Sequence, residues 1–255
     1  MKFPLRFVTV LLLIAVSLNT TLADSAPARQ DPRAVEVLSK MAAFTASMDR
    51  LVISGEVHAD ARLGAGLIIS NSSEIEVNID RPGSLYISKF DGLATKKIYI
   101  HDGQLTVFDT EHNYYARTNV PEDIEEAMQF ALEEFEMETP LMDLILSDVS
   151  VHLLTGQETI TYLTDKSRIR GVDCHHIVVR GPEVDVQLWV EEGPRPVPRK
   201  VLMTSKWEGG SPRHSVFLDW SSRTDFDPAI FEFKAPDGSS EIKFIGGPEP
   251  VKEGE

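Results

Sequence analysis

The sequence predicts a mainly β (α+β) domain: one meandering antiparallel sheet, with a helix before it and a second helical region in its middle. Three observations carry this. Apolar residues after Asp31 recur at steps of three and four, as on one face of a helix. From Leu51 the period changes to two, which places alternate side chains on opposite faces of a strand. Between Asn119 and Ile145 the helical period returns, and the strand period resumes after it.

The chain opens with Lys2 and Arg6, an apolar run from Phe7 to Val16, and Thr21-Leu22-Ala23 before Asp24. A basic start, a short hydrophobic core and a small residue at a cleavage point make a secretory signal peptide over residues 1–23. The run is about half the ~20 residues a membrane-spanning helix needs. With no cysteine near the cut, lipid attachment at a new N-terminal Cys is not expected. The expected product is a periplasmic protein without a transmembrane segment, forming a single domain over 24–245.

Asp31-Pro32 opens the first helix, Asp as N-cap and Pro at the first helical position. Val35, Leu38, Met41, Phe44 and Met48 give it an apolar stripe, and the expected helix covers 31–48. Leu51, Ile53, Gly55 and Val57 then alternate with polar or small residues, as do Ile75, Val77 and Ile79 with Glu74, Glu76 and Asn78. Such strands have one face on a core and one in water. Arg81-Pro82-Gly83 is a turn, Leu85–Phe90 and Lys97–His101 are strands, and Asp102-Gly103 makes a tight hairpin into Leu105–Phe108. Asn113-Tyr114-Tyr115 begins another strand.

A helical insertion is expected near 119–146. Asn119 can cap it, with Glu122 three residues on as in a capping box, and Ile124, Ala127, Met128, Ala131 and Phe135 form the stripe. Thr139-Pro140 restarts a shorter helix through Leu141, Leu144 and Ile145. The strands expected after that are Val149–Leu154, Thr161–Ile169, Cys174–Arg180, Val184–Val190, Arg199–Trp207, Ser215–Ser221 and Glu241–Ile245. The Gly-, Pro- and Glu-rich tail 246–255 reads as disordered.

Charge narrows the classes of partner. The chain holds 25 Lys and Arg against 40 Asp and Glu, a formal charge of −15. The signal takes two cations and no acid, leaving 23 against 40, or −17. Nucleic acid and anionic membrane surfaces would repel such a chain. A basic envelope protein would be attracted, although solubility alone explains the balance. Cys174 is the single cysteine, so no intramolecular disulfide forms; Val172 and Val178, on its face of the strand, point to a buried thiol.

No catalytic or metal motif stands out, and neither a cofactor nor a metal is expected. Cys174-His175-His176 is the cluster closest to one, but in a strand His175 faces away from the other two, leaving at most two ligands where structural zinc takes four. His58, His101, His112, His152 and His214 are scattered over strands and turns. Gly64, Gly66, Gly209 and Gly210 lie in turns rather than before helices, so they form no phosphate cradle. The glutamates of 125–136 read as a solvated helix face. Trp189, Trp207 and Trp220 lie on separate C-terminal strands, and Phe44, Phe130 and Phe135 on or beside the helical stripes.

Several segments resemble a family of predicted periplasmic bacterial proteins known only as a domain of unknown function, itself related to the lipoprotein carriers LolA and LolB. They are Asp31-Pro32 with its helix, Tyr99–Leu105, Asn113-Tyr114-Tyr115, Glu138–Leu141 before Asp143-Leu144, Gly171–His176, Gln187–Val190, Pro198-Arg199-Lys200, and Phe231-Glu232-Phe233 with Ala235-Pro236. The resemblance runs from about Asp31 to Phe244. It implies a strongly curved antiparallel sheet forming an incomplete barrel, LolA/LolB-like, with helices covering the concave side and an apolar cavity that in the carriers takes acyl chains.

The expected function is therefore binding or carrying an apolar ligand (a lipid, an acyl chain or a lipoprotein) rather than catalysis. Leu38, Met41, Phe44, Ile124, Met128 and Phe135 are the residues expected to line the cavity, since both stripes would face the concave side. A structural or interaction module of the envelope with a filled cavity is the alternative, and an unrecognised hydrolase the third reading.

Overall fold

A computed structural model describes residues 30–137, 159–206, 211–221 and 225–244. The signal peptide, the Thr139–Ile145 helix, the Val149–Leu154 strand, Trp207 and the 246–255 tail lie outside the described residues.

Helix α1 spans Pro32–Ala46. Asp31 caps it: its carboxylate accepts from the Arg33 backbone N–H at 2.9 Å, satisfying one of the donors a helix start leaves open. The helix ends at Ala46 rather than Met48, where the Ser47 N–H turns back onto Ala43, Phe44 and Thr45 carbonyls. Asp31 also ties the helix to the sheet. Its backbone N–H donates to Thr161 O at 3.0 Å and its carboxylate accepts from Leu163 N–H at 3.4 Å. The Arg33 side chain and backbone, followed by the Leu163 N–H, hold its carboxyl at about 2, below the usual value.

The first meander consists of β1 (Arg50–Arg62), β2 (Ile68–Asp80), β3 (Ser84–Phe90), β4 (Thr95–His101), β5 (Gln104–Asp109) and β6 (Tyr114–Asn119). Helix α2 (Ile124–Phe135) follows. The second meander is β7 (Ile160–Leu163), β8 (Ser167–Ile169), β9 (Val172–Arg180), β10 (Val184–Glu191), β11 (Pro198–Ser205) and β12 (Arg213–Trp220), and β13 (Ser240–Ile242) closes the described chain. Among the described residues these make one sheet in the order β13-β6-β5-β4-β3-β2-β1-β12-β11-β10-β9-β7, with β8 on β9. The β1–β12 pairing, Ile53 opposite Trp220 through Ala59 opposite His214, joins the two meanders. No pairing links β13 to β7, so the curved sheet is unclosed.

Three expectations are corrected. Asn119 does not cap the second helix; it pairs with Gln104 as the last residue of β6, and Asp123 caps α2 through the Glu125 and Glu126 N–H groups. Thr161–Ile169 is two strands, because Thr164 turns the chain with its N–H on His176 O. The last strand is Ser240–Ile242, and it pairs in parallel with Tyr114–Ala116 rather than extending the antiparallel meander.

Two hairpins use the sequence pattern their turns need. Asp102-Gly103 and Arg170-Gly171 both have positive φ at the two central positions, the condition for the turn that matches strand twist. Gly55, in the middle of β1, is a different case. A Cβ there would lie 2.8 Å from Phe217 O, 3.0 Å from Ile75 and 3.4 Å from Leu218. Neighbouring strands therefore lean over it, and any side chain would force them apart.

Alternation separates the two faces. Leu51, Ile53, Val77, Ile79, Leu85, Ile100, Leu105, Leu188, Val190 and Leu218 are buried on the inner face in one cluster with the stripes of α1 and α2. On the outer face of β3–β6, the segment around Pro228–Phe231 and Phe233 forms a strap. Phe233 packs on Tyr99, Phe108 and Tyr115 at centroid distances of 5.4, 5.6 and 5.0 Å, and burial pushes the Tyr99 phenol up to about 12.

Two outcomes follow. Leu38→Ala should lower stability by about 2–5 kcal/mol in urea unfolding, since it leaves a cavity in a fully buried cluster. Asp31 is depressed in the folded state, so its charged interactions act fully above about pH 4 and are lost as pH falls towards 2. Asp31→Asn keeps the cap acceptor and loses the charge. The stability difference between wild type and variant should be constant above pH 4 and shrink below it, read by thermal unfolding across pH 2–6.

Candidate functional site

The antiparallel register gives the sheet two ends. At one, the turns at 81–83 and 102–103 meet the start of α2, where Ile124 N–H donates to Pro82 O and Val120 N–H to Gly103 O. At the other are the tips of the β1–β2, β3–β4 and β5–β6 hairpins. The inner face is covered unequally between these ends.

The residues expected to line a cavity lie in the covered part. Leu38 and Met41 have no exposed surface, and Ile124 and Met128 are buried at 1% and 7% exposure. Phe44 and Phe135 are half-buried against the same cluster. Phe135 stacks on Phe244 at 4.5 Å and meets Phe130 edge-on at 5.9 Å. It also lines a hollow of about 410 Å³ with Arg117, Ile242, Lys243 and Phe244 at the β6–β13 edge.

Toward the hairpin tips the inner face remains apolar but is no longer sealed. Ile75, Ile98, Val107, Val186 and Met203 are half-buried and pack against the edge of the core. Their strand neighbours set their direction: Ile98 and Val107 face one another in register and continue the rows of Ile100 and Leu105. Three basic side chains extend this surface. Lys89 follows Leu85 and Ile87 on β3, Lys96 precedes Ile98 and Ile100 on β4, and His214 precedes Val216 and Leu218 on β12. Burial, and then the Lys89 charge, lower the His214 pKa. Since β2 and β1 lie between β3 and β12 in the sheet, that coupling crosses the concave side. Sequence reading missed these three positions. The available signal was their phase, each one step of two from buried aliphatic residues.

The outer face is polar and internally paired. Arg170, on the β8–β9 turn, reaches over Phe217 at 4.9 Å and bonds Glu56 at 2.7 Å and Asp219 at 2.8 Å. Beside it a trough of about 530 Å³ is lined by Ser54, Glu56, Glu74, Glu76, Ser88 and Phe90, and Ile75 also reaches it. Cys174, His175 and His176 do not converge. Cys174 is buried, His175 faces Glu192 at 3.7 Å, and His176 stacks on Trp189 at 4.3 Å while its Nε2 meets Gln187 at 3.1 Å. At the exposed β5–β6 turn, Asp109, Glu111 and His112 place ligand-type atoms within 4.8 Å of one another. Asp109 is already engaged there by the Glu111 and His112 N–H groups.

Desolvation pushes the Cys174 thiol up, and the Arg199–Glu191 ion pair beside it, at 2.5 Å, sits mostly out of water. A high thiol pKa lowers the thiolate fraction and hence reactivity. Native protein should therefore label with Ellman's reagent far more slowly than urea-unfolded protein; equal rates would contradict a buried thiol.

Among the described residues, no helix is long and apolar enough to cross a membrane. Among solved structures, the lipoprotein LppX of Mycobacterium tuberculosis is similar at 9% identity and a TM-score of 0.47, covering 77% of this chain and 100% of its own. A LolA superfamily protein from Nitrosomonas europaea gives 12%, 0.35, 78% and 97% for the same quantities. An outer membrane lipoprotein-sorting protein domain from Vibrio parahaemolyticus gives 8%, 0.35, 78% and 96%. No curated protein sequence matches the chain. The family model described as "Predicted periplasmic protein (DUF2092)" matches residues 34–245. The chain belongs to that family and is a periplasmic protein.

Proposed function

We propose that this protein binds or carries an apolar ligand, a lipid, acyl chain or lipoprotein, on the inner face of its half barrel, and that it does so without catalysing a reaction. The observation that carries this reading is the run of half-buried aliphatic side chains, Ile75, Ile98, Val107, Val186 and Met203, continuous with a sealed core. A periplasmic protein gains about 25 cal/mol for each Å² of such surface removed from water, and a long chain can supply that cover. The relation of its family to the lipoprotein carriers supports the same reading.

In this reading, Leu38, Met41, Phe44, Ile124, Met128 and Phe135 form the inner wall of the site, on helices that shift to admit the ligand. Methionine suits that role, because its unbranched thioether adapts to different shapes. The envelope-module reading draws on the full burial of Leu38 and Met41, which suits a filled interior.

An environment-sensitive fluorescent fatty acid separates the two. The carrier reading expects saturable binding to wild type. Met203→Asp, at a half-buried position, should weaken it at least tenfold while costing less stability than a charge in the sealed core. Met128→Asp buries a charge among helix residues and should cost several kcal/mol of stability as well as binding. No binding to wild type, or binding indifferent to Met203→Asp, would overturn the reading.

A further inference from the structure

We propose that the ligand is an anionic amphiphile, one long apolar chain ending in a carboxylate or phosphate, whose head group sits between Lys89, Lys96 and His214. The inference rests on the carrier reading above and adds the chemistry of the ligand's polar end.

Lys89 and Lys96 are directly opposite one another on neighbouring antiparallel strands. Each shares its face with buried aliphatics, Lys89 with Leu85 and Ile87 and Lys96 with Ile100, so both stand on the concave side. Like charges in such a cross-strand pair repel and cost stability. Among the described residues, no carboxylate lies within ion-pair distance of either ammonium. The nearby acids are occupied elsewhere. Asp109, opposite Lys96, accepts from Glu111 and His112, and Asp91 accepts from the Leu93 and Ala94 N–H groups, with the Lys96 charge a smaller, longer-range influence on it.

The chain carries 40 acidic residues against 25 basic ones, and elsewhere on the sheet Arg170, Arg199 and Lys206 are each paired with carboxylates. Here two lysines face each other, with a partly buried histidine across the concavity, at the border between apolar surface and solvent. His214 is held toward its neutral form and keeps a ring N–H to donate. From this border the surface turns apolar within one step of two residues, Ile98 beyond Lys96 and Ile87 beyond Lys89, with Ile75 opposite Lys89. Cations at the mouth and aliphatics behind them match the two ends of an anionic amphiphile. A neutral lipid would bring the two ammonium groups no countercharge.

The experiment compares full-length mature protein with three ligands sharing one oleoyl-type chain: oleate, oleoyl lysophosphatidic acid and oleyl alcohol, each by displacement of the fluorescent probe. Wild type should bind at least one of the two anions ten or more times more tightly than the alcohol. Which anion is preferred distinguishes a free fatty acid from a phospholipid-type head. The double variant Lys89→Gln/Lys96→Gln should lose that preference and keep its affinity for the alcohol. Its thermal midpoint should be unchanged or higher, because a repulsive pair has been removed. Equal binding of anions and alcohol by wild type, or a preference that survives the double substitution, would overturn the head-group site and leave the carrier reading intact. Failure of all three ligands to displace or bind would overturn both.

Discussion

One-sided burial is the constraint on which the rest of this structure depends. A single unclosed sheet has an apolar inner face that, among the described residues, no second sheet covers. Twelve strands in one path, at about 4.8 Å between neighbours, would lay out some 50 Å flat. Helices of 15 and 12 residues reach only about 22 and 18 Å at 1.5 Å per residue. Curvature brings the strands under the helices and reduces the mismatch, with Gly55 as the point where neighbouring strands close in. It does not remove the mismatch, and the aliphatic surface near the hairpin tips is the part left over.

The outer face is handled by different means, which is why the two faces suit different roles. Over β3–β6 the C-terminal strap supplies Phe231 and Phe233, and Phe233 packs on Tyr99 and Phe108, with Tyr86 against Tyr99, in a second, aromatic layer. Over β9–β12 the cover is a ladder of rings and cations: His176 on Trp189, then Lys200 between Trp189 and Phe217, then Arg170 on Phe217. Each cation in that ladder has a ring or a carboxylate to interact with. The acidic trough beside it has Arg170 at its edge and serines along its wall, with Ile75 and Phe90 as its apolar lining.

Much of this fold was legible in the sequence, because period-two and period-3.6 patterns report local geometry. The Asp31-Pro32 start, the alternation in β1 and β2 and the Asp102-Gly103 hairpin all depend on near neighbours, and the structure has them. The failures came from competition between local signals or from distant partners. Asn119 and Asp123 are both good caps, and the β5–β6 ladder claims the first. The parallel pairing of Ser240–Ile242 with Tyr114–Ala116 is set by a partner more than a hundred residues away, which no window of sequence reports. Burial of the helical stripes was readable as well. Which part of the inner face the described helices leave open was not, since it depends on how far α1 and α2 extend over a curved sheet. Lys89 and Lys96 look like ordinary surface lysines until β3 and β4 are paired in register.

The central claim is that a long apolar chain lies on the inner face near the hairpin tips. A crystal structure of the protein grown with a brominated fatty acid tests it most directly, because anomalous scattering locates the bromine atoms independently of the surrounding density. The account predicts bromine sites in contact with Ile75, Ile98, Val107 or Met203, on the concave side. Bromine sites confined to the outer face or to contacts between molecules, with the inner face unchanged, would contradict it.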